Sequence, residues 1–344
     1  MRATVFTDAA LAKQAGRFVW LSIDTEDGKN AAFLDRYPWE AVPTFEILDA
    51  KTEKVAYTWI GAVDAAELVR RFDEAESAFR RTDAVAAALP SSPDAAVLAL
   101  SLAGKNEECA QRALTLLPDL PPRSIKANVA STGLDCALSA PEDAPWRAAA
   151  LASLEAVVHD AVDYEGLLDD DRSGLYGALV DACDRQNDEA GGKATALLWL
   201  DWLDAQARSA PSAEARAALD GYRVSAAQRA GAPERVLLAI EASERELLGD
   251  YNPPARLAIV LREMGRYDEA LAASDRALAK VYGPRKLTLL DARATILEKK
   301  GDRAGAKATL EEALAYVATL PEAQKRKGMI ARIEKHLGQV GAAD

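Results

Sequence analysis

The chain contains no run of about 18 consecutive apolar residues, so no segment is long and apolar enough to cross a bilayer as a helix. Positive charge is in the minority: 42 Lys and Arg stand against 54 Asp and Glu, a net charge of −12. That balance repels phosphate backbones and anionic lipid, which argues against nucleic acid and membranes as partners. Histidine occurs only at His159 and His336, far apart in sequence and each on a predicted helix, and no His/Cys cluster has metal-ligand spacing. Both are expected at packing or surface positions. There is no G-x-S-x-G, no P-loop and no G-x-G-x-x-G; the "GGK" at 191–193 lacks the preceding glycine spacing. The acidic triplet at 169–171 lacks the alternating ligands of a calcium loop and reads as a solvated turn or cap. No catalytic residue, metal or cofactor is therefore expected. Cysteine is sparse. Cys109, Cys136 and Cys183 are an odd number, widely spaced, and fit reduced, buried thiols in a cytoplasmic protein. The first 21 residues lack the basic start, apolar stretch and cleavage site of a secretory leader. A longer chain with an export signal would place the protein outside the cytoplasm instead.

What is present is a globular composition, 49% hydrophobic and 28% charged, long enough for two or three domains. From about residue 80 strand signals vanish. Helical stretches alternate with Pro-, Gly- and Ser-rich breaks at 89–94, 117–124, 139–145, 209–214 and 249–254. Between about 214 and 320 the pattern repeats. Gly231 and Gly265 are 34 residues apart, and Gly265 and Gly301 are 36 apart. Small residues follow in step at Val236, Ala270 and Ala306, then at Ser243, Ala277 and Ala313. This spacing marks stacked helix-turn-helix units, none of which can bury its apolar face alone. Residues 92–114 read as a degenerate copy with Gly104 in the glycine slot, and 124–210 is helical without a period. The last helix, 322–338, is basic and amphipathic and is expected as a solvating cap. Trp199 and Trp202 share one helical face, with core packing the default and a partner anchor the alternative.

Residues 1 to about 78 mix strand and helix. "FVWLSID" (18–24), "TFEIL" (44–48) and "KVAYTWI" (54–60) read as strands, the last two as a hairpin. "NAAFLDRY" (30–37) reads as a short helix stopped by Pro38. Asp64 reads as the N-cap of an amphipathic helix that buries Leu68 and Phe72 with Ala65 and Ala75.

The repeats resemble tetratricopeptide (TPR) repeats. Gly265, Tyr267, Ala270 and Ala277 match the glycine that closes helix A, the aromatic after it and the small residues of helix B. Gly301, Ala306 and Ala313 match with Arg303 in the aromatic slot, and Gly231, Val236, Ile240 and Ser243 match more loosely. The resemblance implies a concave groove lined by helix A side chains: Ser225, Gln228 and Arg229, then Ile259, Arg262 and Glu263, then Thr295, Glu298 and Lys299. Arg229, Arg262 and Lys299 fall in comparable slots, so a basic ridge for an acidic or carboxylate-bearing peptide is expected; the alternative is that these charges only keep the surface soluble. The carboxylate clamp of chaperone-binding TPR proteins is not recognisable.

The N-terminal segment resembles part of a thioredoxin fold. Val42-Pro43-Thr44, the two strand runs, Gly61 and the following helix come in the order of that family's cis-proline loop, hairpin, glycine and final helix. The resemblance implies a cis Val42–Pro43 bond and a substrate groove shaped by Val42, Pro43 and Thr44. The family's chemistry needs a Cys-x-x-C at a helix N-terminus, and no cysteine precedes Cys109. The family's first strands are missing as well. Either the domain is a redox-inactive binding platform, or Met1 is internal and the thiol pair lies just upstream. The expected fold is thus a partial α/β thioredoxin-like domain over 1–78, followed by an all-α TPR-like array over 79–344. The expected function is a protein-interaction module, with a thiol-disulfide oxidoreductase that recruits its substrate through the array as the alternative.

Overall fold

The computed structural model describes residues 5–39, 42–80 and 93–341. Most of the break expected at 89–94 lies outside the described residues. Two compact units emerge, one built from 1–19 with 40–199, the other from 20–39 with 200–344.

In the first unit, α1 (Ala9–Ala12) precedes strands β1 (Thr44–Leu48) and β2 (Val55–Ile60), while α2 (Ala31–Arg36) belongs to the other unit. The strands pair antiparallel, with Phe45 opposite Trp59 and Ile47 opposite Tyr57. The alternation puts Phe45, Trp59, Ile47 and Tyr57 on one face, where Phe45 and Trp59 stack at 4.7 Å. Helix α3 (Ala65–Arg80) closes that face with Leu68, Phe72 and Ala75, all buried. Asp64 caps α3, its carboxylate accepting the Glu67 N–H at 2.7 Å. The hairpin, the cap and the apolar face of α3 are as the sequence implies.

The strand expected over 18–24 does not form. These residues carry no regular structure, and Val19 and Leu21 are 90% and 71% exposed. Strand propensity records a fit to a paired, half-buried surface. Among the described residues β1 and β2 pair only with each other, and no ladder receives the run. A two-stranded sheet is thus all the β structure described, and a thioredoxin domain is not established by it.

The remainder of the first unit is helical: α4 (Pro93–Leu102), α5 (Asn106–Leu116), α6 (Ser124–Ser139), α7 (Arg147–Ala161), α8 (Asp169–Arg185) and the first half of α9 (Glu189–Ser209). Leu134, Leu154 and Leu175 are fully buried at its centre. Gly133 lets α5 approach α6, since a Cβ there would lie 2.5 Å from the Ala113 Cβ. The cysteines do not stay reduced thiols as expected. Cys109 of α5 and Cys136 of α6 form a disulfide, their Cα atoms 6.2 Å apart, and only Cys183 is free. An odd count excludes a complete framework but leaves room for one bridge and one thiol.

The second unit stacks α10 (Ala213–Ala218), α11 (Asp220–Ala230), α12 (Glu234–Glu246), α13 (Asn252–Glu263), α14 (Tyr267–Leu278), α15 (Arg285–Lys300), α16 (Arg303–Val317) and α17 (Lys327–Gly341). Each helix from α12 on packs against the next. The final helix begins at Lys327 rather than Glu322, and 322–324 form a separate turn. It is more than a solvating cap, because Ile333 and Val340 are buried in the core shared with α15 and α16.

Candidate peptide-binding face of the helical array

Helices α11, α13 and α15 alternate with α12, α14 and α16, and each pair turns at a repeat glycine. Gly231, Gly265 and Gly301 have φ of +66°, +72° and +90°, a left-handed conformation that a side chain resists. The next residue's N–H returns to the carbonyl four positions before the glycine: Ala232 to Ala227 at 2.9 Å, Arg266 to Leu261 at 2.9 Å, Asp302 to Leu297 at 2.8 Å. Gly104 in the α4–α5 turn has φ +68°, and Lys105 bonds to Leu100 at 3.0 Å in the same way. The small residues are where the helices cross. Val236, Ala270 and Ala306 are 0% exposed, and Ser243, Ala277 and Ala313 are also buried. Cys109 occupies the corresponding slot after Gly104, which places its sulfur against the following helix, α6.

The turns fix which helix faces are presented. Ser225, Arg229, Glu263 and Lys299 are exposed, and Gln228, Ile259, Arg262, Thr295 and Glu298 are partly exposed. The cations do not stand as three equal free charges. Glu263 gathers its neighbours: Arg262 Nη2 lies 2.6 Å from it, Lys299 Nζ 4.0 Å, and Gln228 Nε2 donates across from α11 at 3.4 Å. Arg262 is therefore engaged by the next residue in the chain, while the Lys299 ammonium stays about half exposed (47%). Glu298 is also occupied, accepting from His336 Nε2 at 2.7 Å. Sequence reasoning missed this use of His336, which also meets Asp291 through Nδ1 at 2.7 Å. Burial of the ring lowers its pKa, but the hydrogen bonds to Glu298 and Asp291 outweigh that and raise it overall.

Behind this face lies a buried polar network. Asp220, 0% exposed, accepts from Ser243 Oγ at 2.6 Å and faces Arg223 at 3.4 Å. Arg223 bonds to Asp204 at 2.7 Å, and Asp204 also meets Arg235 at 3.0 Å. The network ties α9, α11 and α12 together.

Residues 251–317 match the family model of the tetratricopeptide repeat. The match takes in two TPR pairs, α13 with α14 and α15 with α16. TPR repeats typically bind protein partners. A comparison with curated proteins finds none that matches the chain.

The other sequence-derived candidates belong to the first unit. Val42 is 69% exposed, the Val42–Pro43 bond is cis, and the Pro43 carbonyl accepts the Gly61 N–H at 2.9 Å as Thr44 enters β1. Trp199 is a packing residue, 5% exposed, stacked on Tyr176 and donating to Ser173 Oγ at 3.3 Å. Burial, with Asp188, Glu155 and Asp184 nearby, raises the Cys183 pKa and keeps it a thiol. Among the described residues no group of His, Cys, Asp and Glu is placed to hold a metal ion.

Proposed function

We propose that the protein is an interaction module whose TPR-like array takes an extended peptide or a protein segment along α11, α13 and α15. Three stacked helix pairs with aligned exposed positions support this reading, and the TPR match over 251–317 carries it. Arg229, Arg262 and Lys299 supply positive charge along the face, with Glu263 set against Arg262 and Lys299. An acidic or carboxylate-bearing ligand suits that arrangement, and the net charge of −12 disfavours nucleic acid. The N-terminal α/β part, through about residue 78, serves as a second, redox-inactive platform in which Val42, Pro43 and Thr44 contact a partner. The Cys109–Cys136 bond fits an oxidising compartment better than the cytoplasm. A peptide-display selection on the full chain tests the main reading. Enriched peptides should be acidic and should be lost on Arg229→Glu/Lys299→Glu. Retention of every enriched peptide by that variant would refute the assignment.

A second reading is a thiol-disulfide oxidoreductase that recruits its substrate through the array. The exposed apolar Val19 and Leu21, ahead of a hairpin and helix in the thioredoxin-like order, favour it. It requires a Cys-x-x-C outside residues 1–344. The open reading frame and the intact mass of the native protein decide between the two.

A further inference from the structure

Residues 20–39 belong to the same compact unit as the array, although more than 160 residues separate them from it in sequence. Residues 24–26 meet the turns that precede α15 and α17. Glu26 caps α15 from outside: its Oε2 accepts the Arg285 backbone N–H at 2.7 Å, at a helix end with no side-chain cap of its own. Its Oε1 accepts from Arg326, whose guanidinium also lies 5.1 Å over the Trp39 ring. The Tyr282 hydroxyl donates to Asp24 at 2.6 Å, and Gln324 Nε2 donates to the Thr25 carbonyl at 3.0 Å. The hydrogen bond to Asp24, burial and the charges of Asp24 and Asp27 push the Tyr282 pKa up to about 12, so it remains a donor. Gly283 leaves the space the segment needs: its φ is +62°, and a Cβ there would lie 2.1 Å from the Glu26 carbonyl oxygen.

The segment is also ordered within itself. Asp24 accepts the Glu26 N–H at 2.9 Å, Asp27 accepts the Lys29 N–H at 3.0 Å, and Asn30 Nδ2 returns to the Asp24 carbonyl at 2.9 Å. Its first residues, 20–24, carry no regular secondary structure. In these four contacts the donors are on the array and the acceptors on an acidic turn.

We propose that the edge formed by Tyr282–Arg285 and Gln324–Arg326 is a recognition site for an acidic turn of the form Asp-x-Glu, filled here by residues 24–26 of the same chain. A partner protein presenting such a turn would bind by displacing the chain's own segment. The site is separate from the face of Arg229, Arg262 and Lys299, and the proposal does not rest on that face.

The test is fluorescence anisotropy with a labelled synthetic peptide of residues 20–39, titrated into the full chain. A covalently attached ligand acts at a local concentration on the order of millimolar, so the unaltered protein should largely exclude the peptide. Asp24→Ala/Glu26→Ala in the protein should free the site and tighten peptide binding by about tenfold or more. Adding Arg326→Glu to that variant should abolish the gain, Tyr282→Phe should reduce it, and Arg229→Glu/Lys299→Glu should leave it unchanged. A peptide carrying alanine at positions 24 and 26 should not bind. Equal binding to the unaltered protein and to the Asp24→Ala/Glu26→Ala variant would overturn the proposal. So would no binding to that variant at millimolar peptide, or binding indifferent to Arg326→Glu.

Discussion

Breaking the Cys109–Cys136 bond should lower the stability of the first unit by about 3.5 kcal/mol. The bond joins α5 to α6 across a sequence separation of 27 residues. Closing a loop of that length removes about 12 cal/mol/K of chain entropy from the unfolded state, which is about 3.5 kcal/mol at 25 °C. For a unit of roughly 150–250 residues, each kcal/mol moves Tm by about 2–4 °C, so the expected drop is roughly 7–14 °C. Both cysteines are buried, at 0% and 2% exposure, so alanine is a better replacement than serine, which would bury a hydroxyl. The assay is thermal unfolding of the unaltered protein, Cys109→Ala, Cys136→Ala and the double variant, each with and without reductant. Either single substitution removes the whole bond, so the double variant should cost little more than one single. Reductant should then destabilise only the unaltered protein. Small, additive single effects and no response to reductant would refute the cross-link.

Other outcomes follow from the array. The His336 pKa is raised in the folded state, so the charged imidazole's contribution is fully present below the ordinary histidine value and fades as pH rises through the raised one. Hydrogen-exchange protection of α17 should fall over that window, and His336→Gln should flatten the dependence. Gly265→Ala should cost about 1–2 kcal/mol in chemical denaturation, because φ is +72° while nothing lies within 4 Å of the new Cβ. Asp220→Ala should cost about 1–3 kcal/mol by the same assay, since it leaves the buried Ser243 hydroxyl without its acceptor while Arg223 keeps Asp204.

Much of the array was legible because its signals are local. A glycine closing a helix and small residues at a crossing act within one turn, and Gly231, Gly265, Gly301 and their small partners adopt those roles. The hairpin and α3 were legible for the same reason: Asp64 caps its own helix, and Phe45 meets Trp59 across a short turn. The run 18–24 was misread because a strand is specified by its partner, and no composition rule says that Asp24 and Glu26 find donors at Tyr282, Arg285 and Arg326 instead. The disulfide did leave a trace, since Cys109 stands at the small-residue slot after Gly104, where the following helix is near. Reading the cysteines by parity alone passed over it. Arg229, Arg262 and Lys299 looked like a basic ridge by offset, but Glu263 lies against both Arg262 and Lys299, and side-chain pairing is not written in a repeat period.

The measurement that tests the central claim most directly is site-specific photo-cross-linking of the full chain to a peptide obtained by selection. A photoreactive residue would be placed in turn at Ile259, at Thr295 and at Leu238, which is 75% exposed on α12. If the array binds along α11, α13 and α15, Ile259 and Thr295 should capture the peptide and Leu238 should not. Capture at Leu238 alone, or equally at all three positions, would contradict the account.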